Sequence, residues 1–152
     1  MQLGIFAKTF DGREPLKVLS AAKAAGFCAV QYNMACSGLA AMPDVIAETA
    51  AVSVAMMART AGVQIAAVSG TYNMIHPNVV VRNKGHGRLA ILASSCAAME
   101  TGLITLCTGT RDPLDQSRWH PDNTATESCQ GFLAGRGAGI AVAGAHTTAP
   151  GT

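Results

Sequence analysis

Four short apolar runs recur along the chain, and they constrain its fold more than any other feature. They read "LGIFAKTF" (Leu3–Phe10), "CAVQYNM" (Cys28–Met34), "VQIAAVSG" (Val63–Gly70) and "LITLCTG" (Leu103–Gly109). None alternates apolar with polar residues. Continuous apolar runs of this length suit strands that are buried on both faces, as in a parallel sheet covered by helices.

The segments between the runs carry helical signals. After the first run, Leu16, Leu19, Ala22 and Ala25 fall near helical spacing, with Pro15 at the start and Gly26 as a stop. After the second, "MPDVIAETAAVSVAMMARTAG" predicts a long Ala-rich helix, opened by Pro43 and Asp44 and stopped by Gly62. After the third comes a helix most regular over Arg88–Glu100, with Gly102 as its stop. Gly85 and Gly87 weaken its early turns, at a cost of about 1 kcal/mol each relative to Ala. The order is therefore βαβαβαβ. Right-handed crossovers bring every strand-to-helix loop to one edge of such a sheet, which is where α/β folds bind ligands.

Composition removes several function classes. The chain has 152 residues, 49% hydrophobic and 13% charged, which fits one globular domain rather than a disordered chain. Aromatic residues make up 5%, so small and aliphatic side chains must fill the core. A net charge of +2 with no run of like charges gives no footing for nucleic acid. Five cysteines, an odd count without a C-x-x-C spacing, argue against a disulfide framework or a zinc knuckle. Reduced thiols, and the early charges Lys8, Asp11, Arg13 and Glu14, lead to the expectation of a cytoplasmic protein with no signal peptide and no membrane span.

The triplet Tyr-Asn-Met occurs at Tyr32–Met34 and again at Tyr72–Met74, 40 residues later. Matching the strands themselves needs a smaller offset: Ala29-Val30 aligns with Ala67-Val68 at 38 residues. The triplets are thus not equivalent positions. Both follow a strand, and both are expected on one rim at different depths.

"GIFAKTF", "AVQYNMACSGL", "VSGTYNMIHP" and "LCTGTRDP" with Trp119, His120 and "PDN" together resemble the sugar phosphate isomerase/epimerase family over roughly residues 1–128. That family has the xylose isomerase-like TIM barrel, shared with the endonuclease IV type of DNA repair enzyme. The resemblance implies an α/β fold made of the first four βα units of a (β/α)8 barrel, with a parallel sheet in the order 1-2-3-4 under covering helices. A full barrel takes about 250 residues, so the implied architecture is a half-barrel. The implied parent activity is isomerisation or epimerisation of a sugar or sugar phosphate with a divalent metal (Mn, Mg, Co or Zn). The short chain alone is expected to be inactive.

Residues 129–152 read as a separate Gly/Ala-rich tail. Thr124 and Glu127 form a capping box that announces a helix. Gly131, Gly135, Gly137 and Gly139 then contradict it. An irregular tail is expected, produced by an altered reading frame after Ser128 or by a natural flexible end; resequencing the coding region distinguishes the two.

Candidate substrate-binding residues follow from the rim positions and from the resemblance. They are Lys8, Asn33, Tyr72, His76, Arg111, Trp119 and His120. Lys8 interrupts an apolar run and must reach water or a partner. His76 follows the third run, where it either touches a substrate oxygen or is a loop histidine fixed by Pro77. His86, between two glycines, reads as exposed. Arg111, Trp119 and His120 belong to a long loop after the fourth run, either a binding loop or a solvated one. Cys36 and Cys107 read as idle thiols. The four runs contain no Asp or Glu, so no complete metal site is expected and no catalytic residue is assigned. Partners expected are a small sugar or sugar phosphate and a second copy pairing at open strand edges, with no nucleic acid and no membrane. A non-enzymatic α/β binding module with a doubly wound sheet, or a fragment of a DNA repair nuclease, is the alternative.

Overall fold

Apolar residues two apart on a strand share one face, and here that face meets the helices. In the computed structural model, which describes residues 3–74, 76, 78–106, 114–115, 117–118 and 142–143, Val30 and Tyr32 are fully buried on β2 (Ala29–Tyr32). They join Val68 of β3 (Gln64–Ser69) and Ile104 of β4 (Ile104–Thr105) in one core. Helices α1 (Pro15–Ala24), α2 (Glu48–Ala61) and α3 (Val79–Ser95) supply the other side of that core through Leu19, Val54 and Leu92. Ala22, Ala51 and Ala58 are buried as well, so small residues fill the core as the low aromatic content requires.

All strands are parallel and run in chain order. β1 (Gly4–Phe6) pairs with β2, β2 with β3, and β3 with β4, as expected. A doubly wound sheet reverses its order at a switch point, and this sheet has none. The sheet continues one strand further than the four expected. β5 (Val142–Ala143) pairs in parallel with β4, so β4 is not an edge. The sparse Gly/Ala pattern around this strand gave no periodic signal by which to expect it. Between β2 and β3 the register shifts: Val30 faces Ile65, whereas Gln31 faces Ala67, and Ala66 bulges out.

Element ends differ from expectation for identifiable reasons. The first run leaves the sheet at Phe6, and Ala7–Thr9 form a 3-10 turn closed by the Phe10 amide donating to the Ala7 carbonyl at 3.1 Å. α2 starts at Glu48 rather than at Pro43-Asp44. Asp44 instead accepts from Nε and Nη2 of Arg88 on α3, at 2.7 and 2.9 Å. α3 starts earlier than its most regular stretch, because the Asn78 side chain caps it by accepting from the Val80 amide at 2.9 Å. It runs through Gly85 and Gly87 and ends before Gly102.

The reversal after α3 falls on Glu100, at φ 59°. The Thr101 amide reaches the Cys96 carbonyl and the Glu100 amide reaches the Ala97 carbonyl, the two bonds of a Schellman close. A glutamate in the left-handed region is costly. Here its side chain is held by Arg59 of α2, whose Nε donates to Oε2 at 3.0 Å. Gly62 stops α2 as expected. No helix among the described residues is long and apolar enough to cross a membrane.

The Asp44–Arg88 pair yields a pH prediction. The hydrogen bond from Arg88 holds the Asp44 carboxyl below its ordinary value. A depressed carboxyl stabilises the fold above its unfolded titration range, about pH 3.9, and that contribution is lost as pH falls through the lower folded value. Thermal melts between neutral pH and pH 2 are expected to show a shallower acid loss in Arg88→Gln than in the native chain. Identical slopes count against the linkage.

Candidate functional site

The loops after the strands meet at the carboxyl edge of the sheet. Lys8 stands there in the 3-10 turn that follows β1, exposed. It lines a cleft of about 720 Å³ between the loops after β1 and β2, together with Asp11, Arg13, Cys36 and Leu39. The volume falls in the range of small-ligand sites, about 300–1,000 Å³.

The loop after β2 forms the second wall of the cleft and is stitched locally. Asn33 is buried, and its Oδ1 accepts from the Ala35 amide at 3.0 Å, capping a 3-10 turn over Met34–Ser37. The Tyr32 hydroxyl pairs with Ser37 Oγ at 2.7 Å. Burial holds the Tyr32 phenol far above its ordinary titration range, so it stays protonated. Cys36 is buried, and burial pushes its thiol up as well, against smaller opposing effects of the Asn33 backbone and of Lys8. Its burial agrees with the expectation of a packed thiol. Cys107 lies outside the described residues.

A second cluster follows β3. The half-buried Tyr72 pairs through its hydroxyl with His86 Nδ1 at 3.0 Å, and the rings meet edge to face with centroids 5.8 Å apart. Burial pushes the Tyr72 phenol up to about 12. His86 is therefore not simply exposed, as its flanking glycines suggested. Gly85 is the cue to this contact. A Cβ at that position would lie far inside van der Waals contact distance of Tyr72 Cδ2 and Cε2. The glycine that weakens α3 is what lets the helix take the ring.

His76 Nδ1 accepts from the Asn78 amide at 3.0 Å, which leaves the ring proton on Nε2. The His76 carbonyl accepts from Arg82 Nη1 at 2.6 Å. Lys8 and the Asn33 loop thus share one cleft, while Tyr72 and His76 belong to the loop after β3. Arg111, Trp119 and His120 lie outside the described residues.

Between the two clusters, on the sheet face opposite the helices, Gln31 Nε2 donates to Thr105 Oγ1 at 2.5 Å, from β2 to β4. Ser69 Oγ pairs with Thr71 Oγ1 at 3.2 Å beside them. Sequence reasoning passed over this polar floor, and it also passed over Arg13 and Asp11 as cleft residues. Gln31 and Thr105 looked incidental inside apolar runs, and Asp11 looked like half of an Asp-Gly turn. The one signal for Gln31 was a long amide side chain in an otherwise apolar run.

Parallel strands in unbroken chain order, helices on one face and a polar opposite face are the elements of a barrel wall. Two solved structures contain the same arrangement. One is a fusion of a xylose isomerase-like TIM barrel with 4-hydroxyphenylpyruvate dioxygenase, matched with a TM-score of 0.61 at 17% identity over 93% of this chain and 21% of the other. The second is a proposed xylose isomerase from Rhodospirillum rubrum, with a TM-score of 0.60 at 17% identity over 90% of this chain and 47% of the other. The fold is part of a TIM barrel. This chain spans less than half the length of either protein. No protein-family model and no curated protein matches the sequence. In TIM barrels generally the carboxyl edge of the strands, which here carries Lys8, Asn33, Tyr72 and His76, is the end where active sites are built.

Proposed function

We propose that the chain is the substrate-binding half of a sugar or sugar phosphate isomerase or epimerase. The observation that carries this reading is the cleft at the carboxyl edge of β1 and β2, lined by Lys8, Asp11 and Arg13. The cations suit the oxygen-rich face of a sugar or its phosphate, and Asp11 accepts from a hydroxyl. With His86 Nδ1–H as the donor in their pair, the Tyr72 hydroxyl keeps its own proton to donate to a substrate oxygen. His76 presents an Nε2–H for the same purpose.

The parent reaction draws on a divalent metal that polarises a carbonyl and a hydroxyl oxygen. The described residues do not fit one by themselves. No three His, Cys, Asp or Glu side chains among them converge. Asp44, Glu100 and Asp115 are already engaged by Arg88, Arg59 and Arg118. No step is routed through a metal on these residues, and the ligands are assigned to the complementary half of the barrel.

The test compares the chain alone with a fusion of it to the second half of a xylose isomerase-like barrel, assayed on aldose and ketose substrates with added Mg2+, Mn2+ or Co2+. Conversion is expected from the fusion and not from the chain alone. Conversion by the chain alone overturns the division of labour. A folded fusion that converts none of the sugars overturns the isomerase reading.

A further inference from the structure

We propose that the sheet face opposite the helices is the interface for a second copy of this chain, the two copies forming the facing walls of one closed barrel. The proposal goes beyond the isomerase reading and does not rest on it. Strand register defines the face. Paired residues of neighbouring strands point the same way. Gly4 and Phe6 of β1 therefore share a side with Ala29 and Gln31 of β2, and with Ser69 and Thr105 of β3 and β4. Ile5, Val30, Tyr32, Val68 and Ile104 point the other way, into the core under the helices. In a TIM barrel the inner face is packed with side chains and is not a pore. Here Phe6 is 37% exposed, and Leu103, two residues before Thr105, is 39% exposed. Apolar side chains left bare on one face favour association.

Three features select a second copy as the occupant. The first is direction. All strands are parallel and in chain order, with β1 at one edge and β5 at the other. A twofold axis parallel to the strands keeps every strand of both copies pointing one way. It sets β1 of each copy beside β5 of the other, so one contact, made twice, covers both edges. The second feature is charge. Across such an axis each inward residue faces its own copy, and any charge would meet its like. Strands β1 to β4, with sequences GIF, AVQY, QIAAVS and IT, contain no Lys, Arg, His, Asp or Glu. The third is hydrogen bonding. The inward polar groups are the Gln31 amide and the Ser69 and Thr105 hydroxyls, each both donor and acceptor, and such groups can pair with their own kind. The bond from Gln31 Nε2 to Thr105 Oγ1 uses one amide hydrogen. The amide oxygen and the second hydrogen are left for the facing amide.

Analytical ultracentrifugation of the full 152-residue chain tests this. A monomer–dimer equilibrium is expected. Phe6→Lys and Phe6→Glu each set like charges across the axis, and each is expected to weaken dimerisation by at least about tenfold. An equimolar mixture of the two is expected to recover dimers, because the facing charges are then opposite. Leu103→Lys and Leu103→Glu repeat the test from another strand, and circular dichroism checks that every variant is folded. Val52→Glu, exposed on α2, is expected to leave dimerisation unchanged. A native chain that stays monomeric, folded charge variants that dimerise like the native chain, or mixtures that stay monomeric overturn the proposal. The fusion to a second barrel half fills the same face and is expected to be a monomer, whether or not it converts sugar. The two readings therefore fail separately. A fusion that dimerises as tightly as the chain alone puts the interface elsewhere and overturns the proposal.

Discussion

Gly85→Ala is expected to destabilise the chain, although alanine is the better helix former. Relieving a helical glycine contributes about 1 kcal/mol in favour of Ala. Against it stands the collision of the new methyl with the Tyr72 ring, since overpacking costs about 1–3 kcal/mol. The collision also pushes the phenol away from His86 Nδ1, 3.0 Å distant. The decisive measurement is a double-mutant cycle by urea titration. In a Tyr72→Ala background the clash is gone, and Gly85→Ala is expected to become stabilising. The same destabilisation in both backgrounds would mean that Gly85 serves something other than the tyrosine.

Leu19→Ala is expected to cost about 2–5 kcal/mol, a large part of the stability of a domain this size. Leu19 is fully buried on α1, within the core that also holds Val30, Tyr32 and Val54. In a close-packed interior the neighbours fill such a space only in part. Leu16 on the same helix is 39% exposed, so Leu16→Ala is expected to cost well under half as much. Comparable losses at the two positions would show that helix propensity, rather than packing, governs α1.

The strands and their order were legible because they rest on a global constraint. A strand that packs under helices needs apolar residues on that face, and short apolar runs separated by helical segments admit few topologies. Helix ends were less legible because distant partners decide them. Pro43-Asp44 has the form of a helix start, yet the Asp44 carboxylate is claimed by Arg88, 44 positions away. Gly102 has the form of a stop, yet the chain turns two residues earlier on Glu100, which an arginine from another helix holds. β5 was illegible because two residues flanked by glycine and alanine carry no period.

The same distinction runs through the candidate site. Lys8 stood out as a charge within an apolar run. Arg13 and His86 did not, because each matters only through what the fold sets beside it. For Arg13 that is a cleft wall from another loop. For His86 it is a phenol 14 residues earlier in the chain. Asn33 was legible as a rim residue, but its amide oxygen is taken up in capping the turn that follows β2.

The tie between Arg59 and Glu100 has a consequence for how such a protein can change. It fastens α2 to the turn before β4 at the amino ends of the strands, beside Lys23 and Gln64. The carboxyl edge, with the cleft beside Lys8, lies at the other end. Loops there can be exchanged or lengthened without loosening the fastening that holds neighbouring βα units together. A lineage, or an engineer, is free to rewrite the carboxyl-edge loops one at a time on an anchored base.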